Sequence, residues 1–171
     1  MRTTVLAIVV GSSLAVHAGR GHTSSPRHDA GERSGQSRAR TAWSVTSGIQ
    51  HFADSVASYR GLPDAPRAFL AQVPAAWDET RALAGEPGKA IVIARRDGTT
   101  WYVGGLNGEE TARSIGVPLA FLGAGARSMT FIRDGADDRT FDSTTRVVEA
   151  AETVMVPMRR HGGFVMRLAP K

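Results

Sequence analysis

The sequence predicts a mainly β fold: an antiparallel, Greek-key-like β-sandwich preceded by two short helices and a disordered N-terminal arm. Three observations carry this. Residues 90–105 hold two β-prone runs around Asp97-Gly98, a turn pair whose glycine accepts positive φ. Residues 114–119, 128–133, 144–148, 153–157 and 163–168 are further short strand-like runs. Gly123-Ala124-Gly125, Asp134-Gly135 and His161-Gly162-Gly163 punctuate them, and turn signals every ~8–12 residues mark antiparallel sandwiches. No helical pattern of ~10–15 residues separates the runs, which argues against a parallel α/β sheet.

At the N-terminus, Met1-Arg2 is a minimal positive region ahead of an apolar run over residues 4–10, resumed at Leu14-Ala15-Val16. Val16-His17-Ala18 resembles a small-residue cleavage site, so residues 1–18 read as a signal peptide. Export to the periplasm or medium is expected, with a cytoplasmic location as the alternative. The segment is too short and interrupted to span a bilayer, so no membrane association is expected after cleavage. Residues 19–44 are rich in Gly, Ser, Arg and His without hydrophobic period and read as a disordered linker. His22 and His28 belong to it as solvated residues.

The net charge of +5 resides mainly in this arm. Residues 1–44 carry six arginines against Asp29 and Glu32, while the rest has 15 basic and 14 acidic residues. A nearly neutral folded part has no basic stripe for nucleic acid. The chain has no cysteine, which excludes disulfides, thiolate metal sites and a cysteine nucleophile.

Residues 45–75 read as two short helices. Ile49, Phe52, Ala53 and Val56 fall on one helical face. Gly61-Leu62-Pro63 breaks that helix, and Asp64-Ala65-Pro66 starts the next with Asp64 as N-cap. Ala68, Phe69 and Val73 form its apolar stripe, and Pro74 stops it. Both faces need a larger surface, so Ile49, Phe52, Phe69 and Val73 form a candidate docking face. His51 has no second histidine at i+4, so the zinc-protease pattern is absent.

Residues with chemical potential are few. Asp78 and Glu79 are adjacent, and neighbours on a strand point to opposite faces. They therefore cannot flank one glycosidic bond, which needs carboxyls ~5–9.5 Å apart facing a shared sugar. A structural role in capping or edge hydrogen bonding is expected. Asp134, Asp137, Asp138 and Asp142 do not match calcium-loop spacing, and Arg133 and Arg139 would oppose a cation. An Asp-stabilised turn is expected instead. Trp77, Trp101 and Tyr102 are the candidate sugar-stacking rings, with Phe164 nearby in type. Trp101 and Tyr102 are neighbours, so one should face the core and the other solvent. Core and inter-sheet packing is the commoner use of such rings and the reading favoured here. There is no Gly-x-Ser-x-Gly elbow, phosphate loop or dinucleotide fingerprint.

A family resemblance adds to this. Trp77-Asp78-Glu79-Thr80, Ala94-Arg95-Arg96 and Trp101-Tyr102-Val103-Gly104-Gly105 resemble the C-terminal domain of glycoside hydrolase family 97. So do Phe131-Ile132-Arg133-Asp134-Gly135, Asp138-Arg139 and the ending from Gly162-Gly163-Phe164. Upstream, Ser47-Gly48-Ile49-Gln50-His51-Phe52-Ala53-Asp54-Ser55 is similar to the last turn of that family's catalytic barrel. The resemblance spans roughly residues 45–171. It implies relatives that are α-glucosidases and α-galactosidases, built from a β-super-sandwich, a calcium-bearing (β/α)₈ barrel and this C-terminal sandwich. Their catalytic and calcium-binding carboxylates come from the first two parts, so no catalytic, cofactor or metal residue carries over.

The expected organisation is a signal peptide (1–18), a linker (19–44), a helical remnant of the barrel's end (45–75) and a C-terminal β-sandwich (76–171). The expected function is a non-catalytic accessory or oligomerisation domain, acting on a second copy or a separate glycosidase subunit. The alternatives are a carbohydrate-binding module, or a glycosidase fragment active only with a separate barrel.

Overall fold

The computed structural model describes residues 60–171, apart from residues 138 and 139. The first predicted helix, with Ile49 and Phe52, and the whole N-terminal arm lie outside the described residues. Among the described residues one short helix, α1 (Asp64–Leu70), precedes eight strands. These are β1 (Glu79–Glu86), β2 (Ala90–Asp97), β3 (Thr100–Asn107), β4 (Arg113–Pro118), β5 (Arg127–Asp134), β6 (Phe141–Val148), β7 (Thr153–Met158) and β8 (Gly163–Pro170). A single 3₁₀ turn at Ala120–Leu122 links β4 to β5.

Six strands form one antiparallel sheet in the order β1-β2-β3-β8-β5-β6, and β4 pairs with β7 in a second. The predicted hairpin is β2-β3, with Asp97 opposite Thr100 and Gly98 at φ 56°. The chain leaves the large sheet after β3, returns for β5 and β6, leaves again for β7 and re-enters as β8. β8 lies beside β5, so β5 to β8 make a Greek key whose third strand sits in the small sheet.

The large sheet has an inner face against β4-β7. Val92, Ala94, Trp101, Val103, Met129, Phe164, Met166 and Leu168 meet Val117, Leu119, Val154, Val156 and Met158 there. Nine of these thirteen have no exposure at all, and burying a Val, Leu, Phe or Met side chain contributes about 1.5–3 kcal/mol. Proline is tolerated at Pro118 and Pro157 because each of these two strands has one partner and one open edge.

The outer face carries Arg95, Tyr102, Arg167 and Thr130 in one row across four strands. Phe69, Val73 and Trp77 pack there on Tyr102, Val165 and Ile132. This corrects two expectations. The stripe of the second helix finds its surface within the chain, because both sheet faces are covered. Asp64 is not the N-cap; Pro63 holds that position without a side-chain cap, and Asp64 pairs with Arg67 inside the first turn.

β3 and β8 approach closely where Gly105 faces Phe164. A Cβ at Gly105 would sit 2.3 Å from Phe164 Cε1. The fully buried Phe164 has no room to retreat. Gly105→Ala is expected to destabilise the chain by about 1–3 kcal/mol by overpacking, read as a lowered midpoint in urea. Unchanged stability would mean the ring does not rest on that glycine.

Candidate functional site

The carboxylates lie in turns and ion pairs. Asp78 Oδ2 accepts from the Gly98 amide at 2.8 Å and from Arg96 Nη1 at 3.3 Å. It thereby ties the start of β1 to the β2-β3 turn. Glu79 meets Arg81 at 2.5 Å and Arg96 at 3.2 Å. Asp134 Oδ2 accepts from the Gly163 amide at 2.7 Å, closing the acidic loop onto the start of β8. Asp142 pairs with Arg133 at 3.0 Å, and Glu152 with Arg146 at 2.7 Å.

Their electrostatics follow from these partners. The Arg81 guanidinium, helped by Arg96, holds the Glu79 carboxyl below the usual range. Lys89 does the same for Glu86, and Arg146 with the Glu149 amide for Glu152. A glycosidic general acid needs the opposite shift, a carboxyl held protonated near neutrality. Among the described residues no three His, Asp or Glu side chains converge to hold a metal ion. A hollow of about 270 Å³ near Gly125, Ala126, Glu149, Ala150 and Ala151 offers one carboxylate.

The three candidate sugar-stacking rings do not form one platform. Trp101 points to the inner face, 4% exposed. Phe121 lies edge-on at 4.8 Å, and the Arg81 and Arg96 guanidinium groups sit 5.3 and 5.9 Å from its ring centre. Tyr102 points to the outer face and is also 4% exposed, donating its hydroxyl to Gln72 O at 2.8 Å. The pair does alternate in direction, but neither ring reaches solvent, because the segment before β1 covers the second face. Trp77 is half-buried, edge-on to Tyr102 at 5.3 Å.

Of the candidate docking residues, Phe69 is 3% exposed and in edge contact with Tyr102. Val73 is partly buried in the same cluster. They cover the sheet and leave no apolar patch of their own. The exposed large apolar side chains are instead Ile91, Val147 and Met155.

Sequence reasoning missed a feature of this outer face. Arg95 is 2% exposed, and its Nε and Nη2 have no hydrogen-bond partner. Trp77 Nε1 and Arg167 Nε are also buried and unpartnered. The Arg95 guanidinium lies 5.3 Å from the Trp77 ring centre, a cation–π contact that offsets part of its lost hydration. Burial pushes the Arg95 pKa down to about 10. The outer face thus concentrates buried donors without acceptors.

Residues 76–169 match the family model described as glycosyl-hydrolase 97 C-terminal, oligomerisation. Over 118 residues the chain is 43% identical to a probable retaining alpha-galactosidase of Streptomyces bingchenggensis, covering 69% of this chain and 18% of that protein. It is 33% identical over 119 residues to a retaining alpha-galactosidase of Bacteroides thetaiotaomicron, covering 67% and 18%. A solved family 97 glycoside hydrolase from a Pseudoalteromonas species, in complex with acarbose, is similar at TM-score 0.61 and 28% identity, over 66% of this chain and 19% of that one. A beta-arabinopyranosidase structure gives 0.60 and 28%, over 70% and 18%. The chain therefore spans 18% of the length of the two curated relatives it matches.

Arg95→Met keeps the side-chain stem and removes the unpaired donors. It is expected to stabilise the chain by about 1–3 kcal/mol, seen as a Tm several degrees higher. The folded guanidinium releases its proton near pH 10, well before the unfolded one does. The wild-type penalty is thus complete below pH 10 and relieved above it, so the advantage of the variant should shrink as pH rises. A lower Tm for the variant would mean the guanidinium is paired after all.

Proposed function

Because the chain belongs to the glycosyl-hydrolase 97 C-terminal family, we propose that its folded domain works by contact, holding copies or domains of a glycosidase together, without hydrolysing sugar itself. The catalytic partner in this reading is a family 97 barrel acting on α-galactosides, the substrate class for which the two curated relatives are named.

The observation that carries the reading is the state of the carboxylates. Asp78, Glu79, Asp134, Asp142 and Glu152 are each held by a backbone amide or a cation; Asp78 and Glu79 share Arg96, and no two of them face each other across an open space. Two-carboxyl chemistry requires a facing pair with a sugar between. The family description, with its word oligomerisation, supports the same reading. The carbohydrate-binding alternative finds less support, since Trp101 and Tyr102 are buried on opposite sheet faces.

Purified full-length chain is expected to give no turnover of nitrophenyl α-galactoside or α-glucoside above buffer. It should self-associate with concentration in sedimentation equilibrium. Turnover that co-purifies with the chain, or a strict monomer at the highest soluble concentration, would each sink the proposal.

A further inference from the structure

The two sheets leave four open edges among the described residues, on β1, β6, β4 and β7. An open edge is a template for another strand, and proteins guard such edges with bulges, charges and proline. Three of the four are guarded by a bulge or a proline. β1 carries a register shift between Ala82 and Ala84, with Glu79, Arg81 and Glu86 along it. β4 ends on Pro118, and β7 contains Pro157.

β6 also carries charge, as Asp142 and Arg146, but it has neither bulge nor proline. Its eight residues run in unbroken register against β5. It has no proline, and residues 142–147 are all exposed. Ser143, Thr144, Thr145, Val147 and Val148 make it β-prone, and Val147 is 45% exposed.

Resting on the contact reading above, we propose that β6 is the self-association edge, pairing antiparallel with β6 of a second copy about a two-fold axis at Thr144. The charge pattern selects both partner and register. Centred on Thr144, Asp142 lies opposite the partner's Arg146, and Arg146 opposite the partner's Asp142. Thr144 meets the partner's Thr144, Ser143 the partner's Thr145, and Phe141 the partner's Val147. Every pair is apolar with apolar, hydroxyl with hydroxyl, or opposite in charge, the combinations that favour a strand pair. A shift of half a residue in the axis sets Asp142 against Val147. A parallel in-register pair sets like charges side by side.

The existing ion pairs extend the pattern. Arg133 holds Asp142 and Glu152 holds Arg146 within one chain. Across the proposed axis the signs then alternate as Arg133, Asp142, the partner's Arg146, the partner's Glu152. The interface is isologous, so it closes at two copies. It joins two six-stranded sheets edge to edge and leaves both covered faces undisturbed.

The symmetry supplies the test. Asp142→Lys alone puts two cations opposite each other twice, and Arg146→Glu alone puts two anions so. Mixed one to one, the two variants restore both opposite-charge pairs. With full-length chain at about 100 µM, wild type is expected to be dimeric by sedimentation equilibrium. Each variant alone should dimerise about 10-fold more weakly or worse, and the mixture should recover. All these side chains are exposed, so circular dichroism should match wild type. If one variant fails to fold, Thr144→Lys keeps every ion pair, sets two lysines on the axis and should give monomers. A monomeric wild type overturns this inference and the contact reading together. A wild-type dimer that the variants leave intact, or that mixing does not restore, overturns the β6 edge alone.

Discussion

The fold depends on β8 entering between β3 and β5. Before it does so, the chain holds a three-stranded meander, β1-β2-β3, and a separate hairpin, β5-β6, with no common sheet. β8 hydrogen-bonds to both, pairing Leu168 with Trp101 on one side and with Met129 on the other. Five of its first six residues are buried outright, as suits a strand covered on both faces. The closure is long-range, since Gly163 must find Leu106. Loop-closure cost of that kind is met before any contact compensates it, so such topologies fold slowly. Local bonds guide the arrival: Asp134 accepts from the Gly163 amide, and Asn107 N donates to Gly162 O at 2.8 Å. The same Asn107, 2% exposed, donates its side-chain amide to Thr111 O and Arg159 O. It binds the end of β3 to the loops on either side of the small sheet.

A central strand buried on both faces obliges the chain to cover both. The β4-β7 pair does this on the inner side with apolar side chains throughout. On the outer side the cover is α1, Val73 and Trp77, and the fit is less complete. Arg95 lies in the same cross-strand row as Tyr102, under Trp77, with Nε and Nη2 unpartnered. Buried donors without acceptors are costly, and the ring above them compensates only in part. The buried cluster of Phe69, Tyr102, Ile132 and Val165 stabilises the outer face, and Arg95 offsets part of that gain. Arg96, the next residue, faces the other way and is fully engaged by Asp78, Glu79 and Gly98 O. Adjacent arginines with opposite fates are a direct result of the two-residue period of a strand.

Much of the architecture was legible in the sequence, and the parts that were not share a cause. The β2-β3 hairpin, all five later strands, the antiparallel class and the family follow from local pattern and motif. Strand β1 does not: Glu79, Ala82, Leu83, Ala84 and Glu86 are good helix formers, and a bulge breaks their alternation. Tertiary pairing overrides that propensity. The first residues of β6 read as a turn because Asp142 and Ser143 favour one. Alternation correctly sent Trp101 and Tyr102 to opposite faces, yet period alone cannot say that both faces are covered. Nor can it say that Phe69 and Val73 supply one of the covers. The near-continuous apolar run of residues 163–168 was the available signal for a central strand.

The placement of charge among the described residues fits the contact role proposed above. A catalytic cleft needs polar groups converging in a concavity that the scaffold leaves open. Among the described residues the sheet faces are filled by Phe164, Met166, Tyr102 and Val165, and no open concavity lies between the layers there. The carboxylates are distributed around the rim, where they cap turns at Gly98 and Gly163 or meet a cation. Arginine beside a carboxylate favours its ionised form, which suits a fixed turn and disables a proton donor. What such a rim leaves unfilled is the backbone of a strand margin, and an open strand edge is a template for another strand.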